Sequence, residues 1–172
     1  MEKIKTINKD IIVLKRKVFT DDRGDFIKVF DDYLLDQSIK IKQINQVSTT
    51  HKGTFRGFHF QKDPFEELKI FQIVSGSIQL CFMDMREDEK SYLSSNSIIL
   101  SNKDICILVP KGYATGYLTL EDNSIVLYMS DEKYQPEFES GVNVNDPVVK
   151  INWSTSINKL SEKDKCWRWL EL

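Results

Sequence analysis

Arg56-Gly57-Phe58-His59-Phe60-Gln61 is the stretch on which the reading of the fold turns. Its alternation is that of a β-strand, which places Arg56, Phe58 and Phe60 on one face and Gly57, His59 and Gln61 on the other. Similar short β-branched and aromatic runs extend outward in both directions, at residues 11–19, 26–30, 44–48 and 68–74, then at 78–84, 97–101, 105–108, 116–120 and 124–129. Turn residues separate them: Asp21-Asp22-Arg23-Gly24-Asp25 bends the chain after the first run, and Ser75-Gly76-Ser77 has the composition of a hairpin turn. Many short strands at this spacing predict a mainly β sandwich or jelly roll. Residues 31–37 read as a short helix. A second short helix is expected near the carboxy terminus, where Ser161 or a neighbour caps Glu162-Lys163-Asp164 and a Trp- and Leu-rich run packs on the strands.

Composition narrows the function classes. A chain of 172 residues without internal repeats or low-complexity linkers is expected to form one domain, residues 1–172. A net charge of −2 supplies no general attraction to nucleic acid or anionic membrane, although a local basic pocket for phosphate remains compatible with it. No segment has the length of a membrane span, and Met1-Glu2-Lys3-Ile4-Lys5 is not followed by an apolar signal-peptide run. Cys81, Cys106 and Cys166 are far apart and odd in number, and two of them lie in apolar strands, as expected in a reducing cytoplasm. With two histidines and no cysteine pairs, no metal site is expected.

Several polar residues occupy positions where a plain β-core calls for apolar ones. His59 has a side chain that exchanges protons near neutral pH. Lys69 interrupts an apolar run ten residues later, Tyr128 lies near the end of residues 124–129, and Arg23 sits in the Asp-Arg-Gly turn. Val109-Pro110-Lys111-Gly112-Tyr113-Ala114-Thr115-Gly116 reads as a strand exit followed by a glycine-bounded turn. Each has an ordinary structural reading: a satisfied core histidine, a snorkelling lysine, a core tyrosine, a solvated arginine. His51, in a polar turn, is expected to be a surface residue.

The order of these motifs is what carries meaning. Asp-Arg-Gly at 22–24, Lys-Gly-Thr-Phe-Arg-Gly-Phe-His-Phe-Gln at 52–61, Leu-Lys at 68–69, Pro-Lys-Gly-Tyr-Ala-Thr-Gly-Tyr at 110–117 and Leu-Tyr at 127–128 follow one another. That sequence of motifs, with Asp-Pro after it, resembles the dTDP-4-dehydrorhamnose 3,5-epimerase family of nucleotide-sugar epimerases, which are cupin jelly rolls. The resemblance runs from about residue 21 to residue 164. It implies that His59 is the base, Asp164 the carboxylate that orients it, Tyr128 the acid, and Lys69 the cation beside the developing oxyanion. It further implies that Arg56, Arg23, Tyr134 and Glu139 contact a nucleotide-diphosphate sugar, with Arg23 supplied by the partner subunit of a homodimer. No cofactor is implied.

Departures from the family pattern fall among the expected substrate contacts. Thr115 stands where the family usually has histidine, Lys28 where a glutamate is usual, Ser140 where arginine is common, and Ile44-Asn45-Gln46 replaces a Gln-Asp-Asn run. Lys28, Gln46 and Thr115 are therefore candidate specificity positions. The expected substrate is a dTDP- or GDP-linked 4-keto sugar, a 6-deoxyhexose or a heptose, other than dTDP-4-keto-6-deoxyglucose, on a route to capsule or lipopolysaccharide. Inversion at C3, C5 or both stays open. A 3,4-ketoisomerase of nucleotide sugars is the alternative within the fold, though His59 lacks the second nearby histidine of that branch. A non-catalytic sugar-binding cupin is the alternative from another class, and a metal-dependent cupin oxygenase ranks last.

Overall fold

A computed structural model describes residues 2–30 and 39–170. The helix expected at 31–37 lies outside the described residues. Thirteen strands form the described architecture: β1 (Glu2–Ile7), β2 (Ile11–Lys15), β3 (Val18–Asp21), β4 (Gly24–Ile27), β5 (Gln43–Thr49), β6 (Phe55–Gln61), β7 (Lys69–Ser75), β8 (Ile78–Asp84), β9 (Ser95–Leu100), β10 (Ile105–Val109), β11 (Tyr113–Thr119), β12 (Ser124–Ser130) and β13 (Glu139–Gly141). One helical turn, α1 (Glu162–Lys165), follows. A six-stranded antiparallel sheet, ordered β1-β2-β10-β7-β12-β5, faces a five-stranded sheet ordered β13-β6-β11-β8-β9, and β3-β4 forms a separate hairpin. The result is the expected jelly-roll sandwich. No helix among the described residues is long and apolar enough to cross a membrane.

Three apolar layers explain why the central strands read as nearly continuous hydrophobic runs. The middle layer joins both sheets through side chains such as Val13, Phe71, Leu80, Phe82, Ile107 and Val126. The outer face of the five-stranded sheet is covered as well, with Phe55, Phe58, Met83 and Leu118 packed against Val142, Val148 and Trp153 from the C-terminal segment. Leu14, Ile70, Leu108 and Met129 on the other outer face meet Phe30, Ile39 and Ile41. A strand buried on both faces loses its polar alternation, and every residue of β8 and β11 is buried.

Four expectations are corrected. Residues 11–19 form two strands: Arg16 turns inward to donate to the Gln72 side chain and the Lys103 carbonyl, and the chain leaves the sheet there for the hairpin. Ser75-Gly76-Ser77 is a turn but no hairpin, since β7 belongs to the six-stranded sheet and β8 to the five-stranded one. Gly76, at φ +76°, carries the chain across the sandwich with its Cα against Ser124, where a Cβ would lie 2.4 Å from Oγ. Thr115 and Gly116 are not in a turn; they lie inside β11.

The fourth correction concerns the opening stretch itself. Thr115 pairs with His59 and Tyr117 with Arg56, so Gly116 alone spans both Gly57 and Phe58. This β-bulge adds one residue to β6 and reverses the phase of its alternation. Phe55, Phe58 and Phe60 therefore pack on the outer layer. Arg56 and His59, which strict alternation separates, both line the interior cavity. The bulge requires glycine: Gly57 has φ +132°, and a Cβ on it would stand 2.4 Å from Gly116 Cα and 2.8 Å from the Thr115 carbonyl oxygen.

Candidate active site

A cavity of about 320 Å³ opens between the two sheets. β6 contributes Arg56 and His59 to its lining, β11 Thr115, β7 Lys69, β12 Tyr128, and α1 closes one side with Asp164. The two sheets and α1 thus bring residues far apart in the chain, from Arg56 to Asp164, around one space.

His59 Nε2 lies 2.6 Å from Asp164 Oδ1. Asp164 is held in place because Ser161 caps the short helix, its Oγ accepting from the Asp164 N–H at 3.0 Å. Burial pushes the Asp164 carboxyl up, but the His59 hydrogen bond and charge, with help from Ser161 and the Gly57 backbone, outweigh it and hold the group below the usual carboxylate range. In the neutral ring, an ionised carboxylate at Nε2 selects the tautomer that donates there, which leaves the Nδ1 lone pair to accept a proton. The Trp167 ring stands edge-on to the imidazole, with centroids 5.9 Å apart, and further restricts its rotation.

Lys69 is buried, with one short ion pair and two longer contacts. Its Nζ pairs with Glu67 at 2.8 Å and donates to Thr115 Oγ1 at 3.3 Å and to the His59 carbonyl at 3.4 Å. Tyr128 stacks on Phe71, with ring centroids 5.5 Å apart, and shares the cavity. Burial raises its phenol above the ordinary tyrosine value, the negative charges of Glu67 and Glu139 add to the effect, and Arg56 opposes it. Arg56 donates from Nε to Thr49 Oγ1 at 3.1 Å.

The remaining candidate contacts lie elsewhere. Tyr134 and Glu139 sit at the rim, 2.5 Å apart through the phenol and carboxylate oxygens. Gln46 is exposed on β5, whose alternation turns Asn45 and Val47 inward instead. Lys28 lies beyond β4, on an exposed stretch outside the cavity lining. Arg23 is at the tip of the β3-β4 hairpin, 84% exposed and bonded to Asp21 at 2.6 Å. Three charged residues at or behind the cavity escaped the sequence reading, Lys159 on its lining among them. Lys163, beside Asp164, lines the cavity mouth, pairs with Glu139 and covers the Tyr134 and Trp167 rings. Glu67, the partner of Lys69, lies two positions before it, and on an extended segment that spacing was a usable signal for a shared face.

Chemically, the cavity holds a carboxylate-oriented imidazole, a half-buried phenol and a buried ammonium. These are the parts needed to remove a proton beside a carbonyl and return one. No group of three or more His, Cys, Asp or Glu among the described residues has the arrangement of a metal site.

Comparison with known proteins agrees with this chemistry. Residues 5–171 match the family described as dTDP-4-dehydrorhamnose 3,5-epimerase. Proteins of that name from Methanothermobacter thermautotrophicus and Escherichia coli K12 are 31% and 32% identical, each alignment covering 96% of this chain and 92% of the relative. A crystal structure of the Bacillus anthracis protein of the same name, with TDP and PPi bound, superposes with a TM-score of 0.93 at 34% identity, covering 98% of this chain and 99% of that one. A Legionella pneumophila dTDP-6-deoxy-D-glucose-3,5-epimerase in complex with dTDP-4-keto-L-rhamnose gives a TM-score of 0.89 at 25% identity, covering 98% and 92%.

Proposed function

The chain belongs to the dTDP-4-dehydrorhamnose 3,5-epimerase family and is an isomerase of the carbohydrate-epimerase type, and from that premise we propose that it inverts C3, C5 or both of a nucleotide-linked 4-keto sugar. The observation that supports this most is the 2.6 Å His59–Asp164 contact in the same cavity as Tyr128 and Lys69. The C4 ketone acidifies the neighbouring C–H bonds. His59 takes a proton, the C–H electron pair becomes the new C=C π bond, the C4=O4 π pair moves onto O4, and an enolate forms. Tyr128 then donates a proton to the opposite face of the carbon, the electron pair returns from oxygen, and the centre is inverted. Lys69 stabilises the negative charge on O4 in the interval. Positioned acid and base groups of this kind each contribute about 10²–10⁴-fold.

A dTDP-linked 4-keto-6-deoxyhexose is the substrate class that the relatives' names support. Thr115 favours altered recognition within that class or a GDP-linked sugar, because a short hydroxyl bonded to Lys69 occupies the wall where the family usually places histidine. Arg56 is well placed to pair with a phosphate through the guanidinium nitrogens that Thr49 does not occupy. Arg23 is proposed to serve the cavity of a second copy of the chain. Its hairpin exposes Phe19 at 49% and Phe26 at 64%, apolar surface suited to a homodimer interface. A cytoplasmic role in supplying deoxysugars for surface polysaccharide completes the proposal.

Incubation with dTDP- and GDP-linked 4-keto-6-deoxyhexoses and 4-keto-heptoses in D₂O, followed by NMR, tests the reading. Deuterium is expected at C3, C5 or both of at least one of them, and the positions labelled name the reaction. Absence of exchange on the whole panel contradicts it.

A further inference from the structure

Glu67 stands behind the cavity wall, paired with the lining residue Lys69, and the chemistry above gives it no task. Its side chain is 13% exposed. One oxygen pairs with Lys69 Nζ at 2.8 Å, and the other accepts from Ser130 Oγ at 2.9 Å. Ser130 lies two residues beyond Tyr128 on β12, on the same face, and directly opposite Lys69 in the register. Glu67 is therefore tied both to the ammonium and to the strand that presents the phenol.

We propose that Glu67 is a positioning residue of the epimerase site: its carboxylate anchors the Lys69 ammonium and offsets its charge, so that Tyr128 keeps the proton it donates. The proposal rests on the reading of Tyr128 as the acid. The groups acting on the phenol are Glu67, Glu139, Tyr134 and Arg56. Lys69, Lys159, Lys163, His59 and Asp164 share the same cavity. Cations sharing the cavity of a half-buried phenol favour phenolate, and a phenolate cannot protonate the enolate. Arg56 already acts in that direction. An uncompensated Lys69 acts in the same sense, and Glu67 removes that influence while holding Nζ beside Thr115 and the His59 carbonyl.

The test is an NMR titration of the protein carrying ζ-¹³C-labelled tyrosine, with the Tyr128 resonance identified by its loss in Tyr128→Phe. Glu67→Gln keeps an oxygen acceptor and removes the charge; the phenol is expected to titrate roughly one pH unit lower, as for loss of one nearby like charge. The high-pH limb of the inversion rate moves down with it. Glu67→Asp, which restores the charge, recovers most of the shift, and Lys69→Met, which leaves Glu67 uncompensated, moves the phenol up. An unmoved phenol in Glu67→Gln, equal shifts in Gln and Asp, or a downward shift in Lys69→Met overturns the proposal. The titration needs no substrate. Failure of deuterium exchange in the unaltered protein therefore counts against the epimerase reading, and failure of the shift with exchange intact counts only against the role of Glu67.

Discussion

At the scale of single residues, Asp164 shows how position and charge combine. It is 3% exposed, yet its carboxyl stays below the ordinary range because His59, Ser161 and the Gly57 backbone outweigh the cost of burial. Asp164→Asn keeps the size and loses the charge, so the imidazole is no longer bound to one tautomer. Deuterium exchange is expected to fall by about 10²-fold or more, within the range of a positioned acid–base group. A linked effect appears in stability. A carboxyl whose folded pKa is depressed contributes above its unfolded value, about 3.9, and loses that contribution as pH falls through the lower folded value. Urea midpoints at pH 5 and pH 3 should therefore differ more for the unaltered protein than for Asp164→Asn, and equal differences would remove the His59–Asp164 pair from the stability account.

At the scale of elements, the β6 bulge does the positioning. Arg56 and His59 share the cavity only because Gly57 and Phe58 together oppose Gly116. Gly57→Ala adds a methyl group where 2.4 Å is available and forces an L side chain to φ +132°. Overpacking and backbone strain together predict a loss of roughly 2–5 kcal/mol in urea unfolding, with exchange activity lost as Arg56 and His59 separate. An active Gly57→Ala protein of normal stability would show that the bulge is not what places these residues. The bulge also marks the limit of legibility. His59, Lys69 and Tyr128 stood out because each is an anomaly in an apolar β-pattern, and Asp164, which lies in a helical turn, was reached only through the order of motifs that the family shares. Counting by twos cannot reveal an inserted residue, so Arg56 fell on the wrong face. The connection at Gly76 was misread for a related reason: a turn composition reports a reversal of direction, and hairpins and sheet-to-sheet crossings share it. β1 went unread because Glu2–Ile7 is a Lys- and Glu-containing exposed edge strand without an apolar face to betray it.

At the scale of the whole molecule, the central strands of the two sheets are buried on both faces, and a polar opening between the sheets holds the proposed catalytic set. The β3-β4 hairpin stands apart from both sheets, with Phe19 and Phe26 exposed and Arg23 at its tip. If the hairpin docks on a second copy, sedimentation should give a dimer that Phe26→Asp weakens. Mixed dimers of Arg23→Ala and His59→Asn should then recover activity at the site that receives Arg23 from one chain and His59 from the other. A monomer at micromolar concentration would contradict that arrangement.

The central claim is that His59, oriented by Asp164, removes a proton beside a ketone. Its most direct test is deuterium wash-in at C3 and C5 of dTDP-linked and GDP-linked 4-keto-6-deoxyhexoses, measured side by side for the unaltered protein and His59→Asn. Label should enter with the unaltered protein and fall to background with His59→Asn, whose circular dichroism should be unchanged. Near-normal wash-in by His59→Asn would contradict the account.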